Sequence, residues 1–346
     1  MGLTMLKFLG AVVTIAVAVL LLIITWPSLF GFHTTWILAQ VISMRSLVTA
    51  GAVLAAVLFL LLAAARPLRA FAGTMVVLLV AFAIVNVVIL NGRGFGTVEF
   101  ADKAPDSITV MSWNTLGDAP GSAAVAKLAV EADVDVISLP ETTQETGIEI
   151  AEAMRDVGRP MWVHTEWFDQ ISPARSTTVL VSPDLGDYTK VTSNEERSEN
   201  TKVLPTVIVK PINGDGPTIV AAHAVAPIDG QMENWRDDLD WLSNQCVAGS
   251  VIMAGDFNAT VDNMAGLGST DEATLGACVD AGRASGNGAV GTWPSKIPAL
   301  LGAPIDHVMA TPDWTVTGMR VATEVDGTGS DHRPVIVQLS RTPAEG

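Results

Sequence analysis

Three long runs of apolar residues near the start of the chain restrict its fold more than any other feature. They cover residues 6–26, 46–65 and 70–90, and Lys7 is the only charged residue in them. At about 1.5 Å per residue, each run is long enough as a helix to cross a hydrocarbon core of about 30 Å. A single run could be a core helix or a cleaved signal sequence. Three in succession predict a membrane anchor of three transmembrane helices in residues 1–91.

The segment between the first two runs is less regular. Residues 31–44 contain several polar side chains, and we interpret them as a loop or an interfacial stretch. Trp26 and Trp36 are suited to the headgroup zone at the two ends of this loop.

Short basic loops predict the orientation of the anchor. Residues 66–69 place two arginines in the tightest loop, and Lys7 lies near the N-terminus. Because cytoplasmic loops are enriched in Lys and Arg, we expect a multi-pass protein of the cell membrane with its following domain extracytoplasmic. The opposite orientation, with the domain in the cytoplasm, is favoured by Arg45, Arg93 and Lys103.

No acidic residue lies within the three apolar runs. This argues against a channel or a transporter, which would need a charged group within the membrane to bind an ion or relay a proton.

Charge divides the chain into two unlike parts. Residues 1–98 hold five basic residues and no acidic ones, whereas residues 99–346 hold 15 basic and 36 acidic residues, a net charge of −21. This balance excludes a basic nucleic-acid-binding module and disfavours tight binding of long nucleic acids.

The chain has two cysteines, Cys246 and Cys278, which are too few for a zinc cluster. They form either a disulfide, which an extracytoplasmic location permits, or two buried thiols.

A linker and one large domain follow the anchor. Residues 92–106 are rich in glycine and form the linker, and residues 107–342 form the domain. Strands are predicted at 108–113, 134–139, 177–181, 203–209, 218–223, 251–254, 305–310 and 335–339, and helices at 123–132 and 233–245. This mixture indicates a layered α/β sandwich. Pro205 suggests an edge strand, and residues 184–200 a surface loop.

Polar residues stand where the predicted strands end. A carboxylate, amide or imidazole follows or begins each of six strands, at Asn114, Glu141, His223, Asp256 with Asn258, Asp306 with His307, and Asp331 with His332. Each alone is more often a turn or surface residue. Since ligands of α/β folds bind beyond strand ends, six such positions together predict one shared site.

These motifs occur in an order that resembles a known family. The chain is similar to the endonuclease/exonuclease/phosphatase superfamily, whose fold is the four-layer α/β sandwich of deoxyribonuclease I. The resemblance covers about residues 107–340 and rests on Ser112-Trp113-Asn114, Leu139-Pro140-Glu141, His223-Ala224-Val225-Ala226-Pro227, Gly255-Asp256-Phe257-Asn258, Gly291-Thr292-Trp293-Pro294, Ile305-Asp306-His307 and Gly329-Ser330-Asp331-His332-Arg333-Pro334. Leu-Pro-Glu departs from the more usual Leu-Gln-Glu but keeps the carboxylate.

The resemblance implies a metal-dependent hydrolase of phosphate esters. It implies that Glu141, with Asn114 and Asp331, holds the metal, and hard oxygen ligands suit Mg²⁺ or Mn²⁺. His332 would be the general base on the attacking water, and Asp306 would orient its imidazole.

The remaining polar motif residues would act on the substrate. By the same resemblance, Asp256 and Asn258 position the nucleophile and a phosphate oxygen. His223 stabilises the phosphoryl oxygens or protonates the leaving group. Arg175 is a weaker candidate for substrate contact, because a surface arginine is the commoner case.

The expected activity is that of a phosphodiesterase or nuclease. Two alternatives stay open. The first is a membrane-tethered phosphatase or phospholipase that acts on lipid or envelope phosphoesters. The second is a non-catalytic binding domain on the same fold. The partners are accordingly a phosphoester substrate, either nucleic acid or lipid, and the lipid bilayer.

Overall fold

The computed structural model describes residues 2–96, 98–169, 171–191, 199–214, 216–247 and 249–342. Its N-terminal part contains three long apolar helices, α1 (Gly2–Thr25), α3 (Arg45–Leu62) and α4 (Arg69–Arg93). All three are long and apolar enough to cross a membrane, as their sequence predicts. Helix α4 continues through Arg93, two residues beyond the predicted end of the anchor.

The segment between α1 and α3, residues 26–44, is called the connector below. The prediction of a loop for residues 31–44 was incomplete, since a short helix α2 (Leu38–Ser43) forms there. Ala39 of α2 is fully buried in an apolar cluster with residues of the following domain. The helix forms because a tertiary contact buries one of its faces, a signal that local sequence does not carry.

The domain that follows is built on two six-stranded mixed sheets. In the first sheet the strands lie in the order β11–β12–β1–β2–β4–β3. Their bounds are Ile108–Ser112 (β1), Val136–Pro140 (β2), Trp162–Trp167 (β3), Ser176–Val181 (β4), Trp314–Val321 (β11) and Val335–Arg341 (β12). Strands β1 and β2 are parallel, and the other neighbouring pairs are antiparallel.

In the second sheet the strands lie in the order β5–β6–β7–β8–β10–β9. Their bounds are Tyr188–Lys190 (β5), Val207–Pro211 (β6), Thr218–His223 (β7), Val251–Asp256 (β8), Val279–Asp280 (β9) and Asp306–Ala310 (β10). Strands β7 and β8 are parallel, so both sheets have a parallel pair near their centre.

The two sheets pack face to face, with helices on the outside. Helices α5 (Ser122–Glu131) and α6 (Gln144–Asp156) cover the first sheet, and α7 (Met232–Gln245) covers the second. A short helix α8 (Ala281–Ser285) follows β9. The predicted four-layer α/β sandwich is confirmed.

Alternation along the strands explains the layers. In β7, Ile219 and Ala221 enter the core between the sheets, whereas Val220 and Ala222 pack beneath α7. Both faces of the strand are therefore buried, and the sequence of a central strand of this kind is a continuous run of apolar residues.

Two predictions about the second sheet need correction. Strand β6 is not an edge strand, because it lies between β5 and β7 and begins at Val207, after Pro205. The predicted surface loop at 184–200 contains β5, which pairs with β6. Residues 192–198 of that loop lie outside the described residues.

The strand directions bring the predicted site residues to one edge of the sandwich. Parallel β1 and β2 end there, as do parallel β7 and β8. Antiparallel β10 begins there, with Asp306 opposite Asp256, and β12 begins opposite the end of β1. The polar motifs therefore converge because of sheet topology.

Candidate active site

A network of two carboxylates and one amide joins the two sheets at this edge. The Asn114 Nδ2 atom donates to Glu141 Oε1 at 3.1 Å and to Asp256 Oδ2 at 3.0 Å. The Asn114 Oδ1 atom accepts from the backbone N–H of Leu116, which fixes the orientation of the amide. Asn114 thus presents its nitrogen to both carboxylates and links the ends of the two sheets.

The loop that carries Glu141 has an unusual backbone. Glu141 has a φ of 58°, in the left-handed region that non-glycine residues seldom adopt. Its carbonyl oxygen accepts from Thr115 Oγ1 and the N–H of Asp118, and Asp118 in turn accepts two bonds from Thr143. Such strain is retained where the surroundings enforce it, commonly at functional sites. Asp118 is a supporting residue that the sequence analysis missed.

Asp306 and His332 form a buried hydrogen-bonded pair. The His332 Nδ1 atom lies 2.8 Å from Asp306 Oδ2, and its Nε2 atom lies 3.8 Å from Asp256 Oδ2 and 3.9 Å from Asp331 Oδ1. Burial lowers the pKa of His332, but Asp306 and Asp256 outweigh it and raise that pKa to about 10. Without a cation the imidazole is therefore protonated at neutral pH.

The carboxylates at this edge are largely buried and repel one another. Burial and the neighbouring Asp306 raise the pKa of Asp256 to about 7. Burial also raises the pKa of Glu141, although the hydrogen bond from Asn114 opposes it. A cation would relieve both effects, since it favours the charged form of each group.

Asp256 also organises the loop after β8. Its Oδ1 atom accepts from the backbone N–H of Asn258 at 2.8 Å, and Asn258 Nδ2 donates to Ala224 O at 3.0 Å. Gly255 precedes it with a φ of 159°, and a Cβ atom there would lie 1.9 Å from the carbonyl oxygen of Ala222. Only glycine allows β7 and β8 to approach this closely.

His223 lies fully buried at the end of β7, in register with Asp256. Thr177 Oγ1 is 3.1 Å from its Nδ1 atom, and its Nε2 atom has no hydrogen-bond partner among the residues described. Burial lowers the pKa of His223 to about 3, so the imidazole is neutral. Its partner is thus a hydroxyl, which the sequence analysis did not identify.

A tryptophan and an arginine shape the wall around Asp331. Trp293 Nε1 donates to Asp331 Oδ2 at 2.9 Å. Arg333 is almost fully buried, bonds Asp326, and donates to the carbonyl oxygens of Ser295 and Ile297 at 2.8 and 2.7 Å. The motif that contains Trp293 was noted in the sequence, but no role was assigned to it there.

Removing the Arg333 side-chain charge should loosen this wall. Arg333→Met deletes the bonds to Asp326 and to the carbonyl oxygens, and charged hydrogen bonds of this type contribute about 1.5–3 kcal/mol each. Because such bonds are not additive, we expect the free energy of unfolding to fall by about 3–5 kcal/mol, the usual cost of breaking a buried ion pair, measured by thermal unfolding in detergent. Arg320→Met, which removes an exposed ion pair with Glu324, is the matched control and should change stability by less than about 1 kcal/mol. Equal effects of the two variants would contradict this account.

Among the described residues, Arg175 makes no hydrogen bond or ion pair with the other predicted site residues. Its Nε atom pairs with Asp169 Oδ2 at 3.1 Å on the loop before β4, and its side chain is partly exposed. Strand β4 begins at the same edge of the sandwich, so Arg175 lies on the rim of the site. Its role in substrate contact stays a prediction.

The donor atoms suit a hard divalent cation. The Asp306 Oδ1 and Asp331 Oδ1 atoms are buried, and neither has a hydrogen-bond partner among the residues described. Donor atoms of Asp256, Asp306 and His332 lie within 4.8 Å of one another. Buried carboxylate oxygens without a donor are stable when a cation completes them, so the residues fit Mg²⁺ or Mn²⁺.

Comparisons with known proteins agree with this geometry. Residues 111–332 match the model of the Endonuclease/Exonuclease/phosphatase family, and the chain belongs to that family of metal-dependent phosphoester hydrolases. No curated protein matches the chain. Among solved structures it is similar to an endonuclease/exonuclease/phosphatase from Beutenbergia cavernae, with a TM-score of 0.52 and 19% identity over 69% of this chain and 72% of that one.

Two further solved structures share the fold. One is an endonuclease/exonuclease/phosphatase from Bacteroides vulgatus, with a TM-score of 0.51 and 15% identity over 69% of this chain and 100% of that one. The other is D. rerio TDP2 in complex with a single-strand DNA product, with a TM-score of 0.50 and 15% identity over 68% of this chain and 99% of that one.

Proposed function

We propose that the chain is a Mg²⁺- or Mn²⁺-dependent phosphodiesterase that uses a water molecule to attack phosphorus. The observation that carries this proposal is the buried Asp306–His332 pair, whose free Nε2 atom lies beside Asp256 and Asp331. A general base needs one nitrogen held and the other free, and this pair provides both.

Glu141 and Asp331 would hold the metal, with Asn114 orienting Glu141. The bound ion would supply positive charge against the phosphoryl oxygens. Because it also offsets the carboxylates that raise the pKa of His332, that pKa would fall towards its ordinary value of 6.5. His332 Nε2 could then take a proton from water near neutral pH.

Asp256, Asn258 and His223 would act on the nucleophile and the phosphate group. Asp256 is held by Asn258 and Asn114, so its carboxylate is fixed beside His332. His223 is neutral, with Thr177 on its Nδ1 atom. This favours donation of a hydrogen bond from Nε2 to a phosphoryl oxygen over protonation of the leaving group.

Isotope incorporation tests the direction of attack. With Mg²⁺ and bis(p-nitrophenyl) phosphate in ¹⁸O-labelled water, we expect one labelled oxygen in the phosphate product and none in p-nitrophenol, as mass spectrometry would show. Label in p-nitrophenol would indicate attack at carbon and would contradict the proposed mechanism.

We also propose that residues 1–91 anchor the chain in the cell membrane, that residues 92–106 link the two parts, and that the catalytic domain is extracytoplasmic. The arginines that argued against this orientation have a structural role, because Arg45 and Arg93 both pair with Asp262. Lys103 likewise pairs with Asp133 and Asp135. The remaining basic residues of the anchor lie at its opposite end.

The bond between Cys246 and Cys278 supports the same orientation. Both residues are buried, and a disulfide joins them across 32 residues. Structural disulfides persist in oxidising compartments and are rare in the cytosol.

We expect alkylating reagents to label neither cysteine before reduction of the denatured chain and both after it, as measured by mass spectrometry. The double variant Cys246→Ser, Cys278→Ser should lower the free energy of unfolding by about 3 kcal/mol. Two free thiols in protein purified from membranes would contradict the pairing and remove this support for the orientation.

A further inference from the structure

The membrane anchor contacts the catalytic domain through loops that also carry the site. The loop after β7 follows His223, and the carbonyl oxygen of its Pro227 accepts a hydrogen bond from Gln40 Nε2 of the connector. The loop after β8 follows Asp256, and Asn263 Nδ2 in that loop donates to His33 O at 2.9 Å. The connector therefore docks on the same edge of the sandwich as the candidate active site.

An ionic contact joins the same loop to two of the long helices. Asp262, four residues after Asn258, binds Arg45 at 2.9 Å and Arg93 at 2.6 Å. Arg45 is the first residue of α3 and Arg93 the last residue of α4. The domain-side ends of both candidate membrane spans are thus held against the loop that leaves the site.

A third loop around the site lies beside α3. Residues 299–301 pack next to this helix, and Trp293 of the same loop bonds Asp331 in the site. The loop exposes Leu300, with 56% of its surface accessible, and Lys296. No carboxylate of the described chain lies within ion-pair distance of Lys296.

Exposed apolar residues continue this surface. Ile228, one residue after Pro227, is 57% exposed, and the connector exposes Trp26 and Trp36. Tryptophans mark the headgroup level of a bilayer, and a lysine beside apolar residues suits contact with lipid phosphates. Apolar and cationic side chains thus occur together where the spans leave the membrane.

We propose that the active site opens onto the bilayer surface and that its substrate is the phosphoester headgroup of a membrane lipid, a proposal that rests on the phosphodiesterase function above. The anchor holds the loops that follow β7 and β8, and thereby fixes the distance of the site from the lipid phosphates. A single headgroup requires little positive charge from the protein, which suits a domain whose residues 99–346 carry a net charge of −21. A long nucleic acid would require many phosphate contacts.

Site-specific labels test the orientation. Both native cysteines are in the disulfide, so a single new cysteine in the full-length chain can be labelled selectively. Fluorophores at Ile228→Cys and Leu300→Cys, in liposomes that contain nitroxide-labelled lipids, should be quenched much more strongly than one at Ile212→Cys. Ile212 is 57% exposed but follows β6 at the opposite edge of the sandwich. Equal quenching at the three positions would overturn the proposal.

Activity in proteoliposomes tests the substrate. Phosphatidylcholine vesicles would contain phosphatidylglycerol, phosphatidylinositol or phosphatidate, with bis(p-nitrophenyl) phosphate and a single-stranded DNA oligonucleotide assayed in parallel. We expect headgroup release from at least one lipid, and Leu300→Glu should lower the ratio of lipid to soluble-diester turnover by about tenfold. Ile212→Glu should leave this ratio unchanged.

The outcomes separate the two proposals. If the soluble diester is hydrolysed but none of the three lipids releases its headgroup, the lipid substrate is overturned, whether or not DNA is cleaved. If the soluble diester is not hydrolysed under any of these conditions, the phosphodiesterase function itself fails.

Discussion

Replacement of His332 by alanine is expected to lower kcat/KM for a phosphodiester by about 10²–10⁴-fold, the range over which general bases contribute. His332 is the only imidazole in the described site with a carboxylate on one nitrogen and a free second nitrogen facing Asp256 and Asp331. Steady-state hydrolysis of bis(p-nitrophenyl) phosphate with saturating Mg²⁺ measures the effect.

The matched control for this variant is His164→Ala. His164 is a partly buried imidazole on β3, the edge strand of the first sheet, and burial lowers its pKa. We expect this variant to retain full activity. If His332→Ala folds like the parent chain and keeps more than about a tenth of its activity, His332 is not the base.

Replacement of Glu141 by glutamine is expected to weaken binding of the cation and to lower kcat by about a thousandfold. The change keeps the shape of the side chain and its contact with Asn114 but removes the negative charge. A metal ion that neutralises phosphoryl charge contributes several kcal/mol, which corresponds to this loss of rate. Calorimetric titration with Mn²⁺ gives a readout that is independent of turnover.

Glu145→Gln is the control for the same chemical change four residues further along. Glu145 is exposed in the first turn of α6 and has no part in the site. Its variant should bind Mn²⁺ as the parent chain does. Unchanged Mn²⁺ affinity in Glu141→Gln would place the cation elsewhere, most directly on Asp256, Asp306 and His332.

The parts of the fold that could be predicted are those with both faces buried. Strands such as β7 and β8 are short apolar runs that end at a polar residue, and the predicted bounds of β7 match those observed. Strand β11 was missed because a bulge between Val316 and Gly318 interrupts its alternation. Helix α6 was also missed, although Ile150 and Met154 form a buried stripe at helical spacing.

The site was predictable where motif residues stand directly at strand ends. Asn114, Asp256 and Asp306 each stand at the end of a predicted strand, and this position was enough to group them. In the structure the sheet topology brings them together. The supporting residues were missed because their role depends on contacts between distant parts of the chain. Asp118 acts through the backbone around Glu141, and Thr177 reaches His223 from the other sheet.

The relation of the anchor to the site could not be read from the sequence for the same reason. Asp262 gives no local signal, yet it binds Arg45 and Arg93, which lie 217 and 169 residues away along the chain. These contacts explain why two arginines stand on the side of the anchor that the domain occupies. The connector reaches the loops beside the candidate active site through other bonds, from Gln40 to Pro227 and from Asn263 to His33.

Metal-dependent hydrolysis of a phosphodiester is tested by incubating bis(p-nitrophenyl) phosphate with the purified full-length chain, first with Mg²⁺ and then with a chelator in excess. We expect release of p-nitrophenol that requires the cation, stops on chelation, returns when Mg²⁺ is restored, and is lost in His332→Ala. Release that is unaffected by the chelator, or that is equal in the parent chain and His332→Ala, would contradict this expectation.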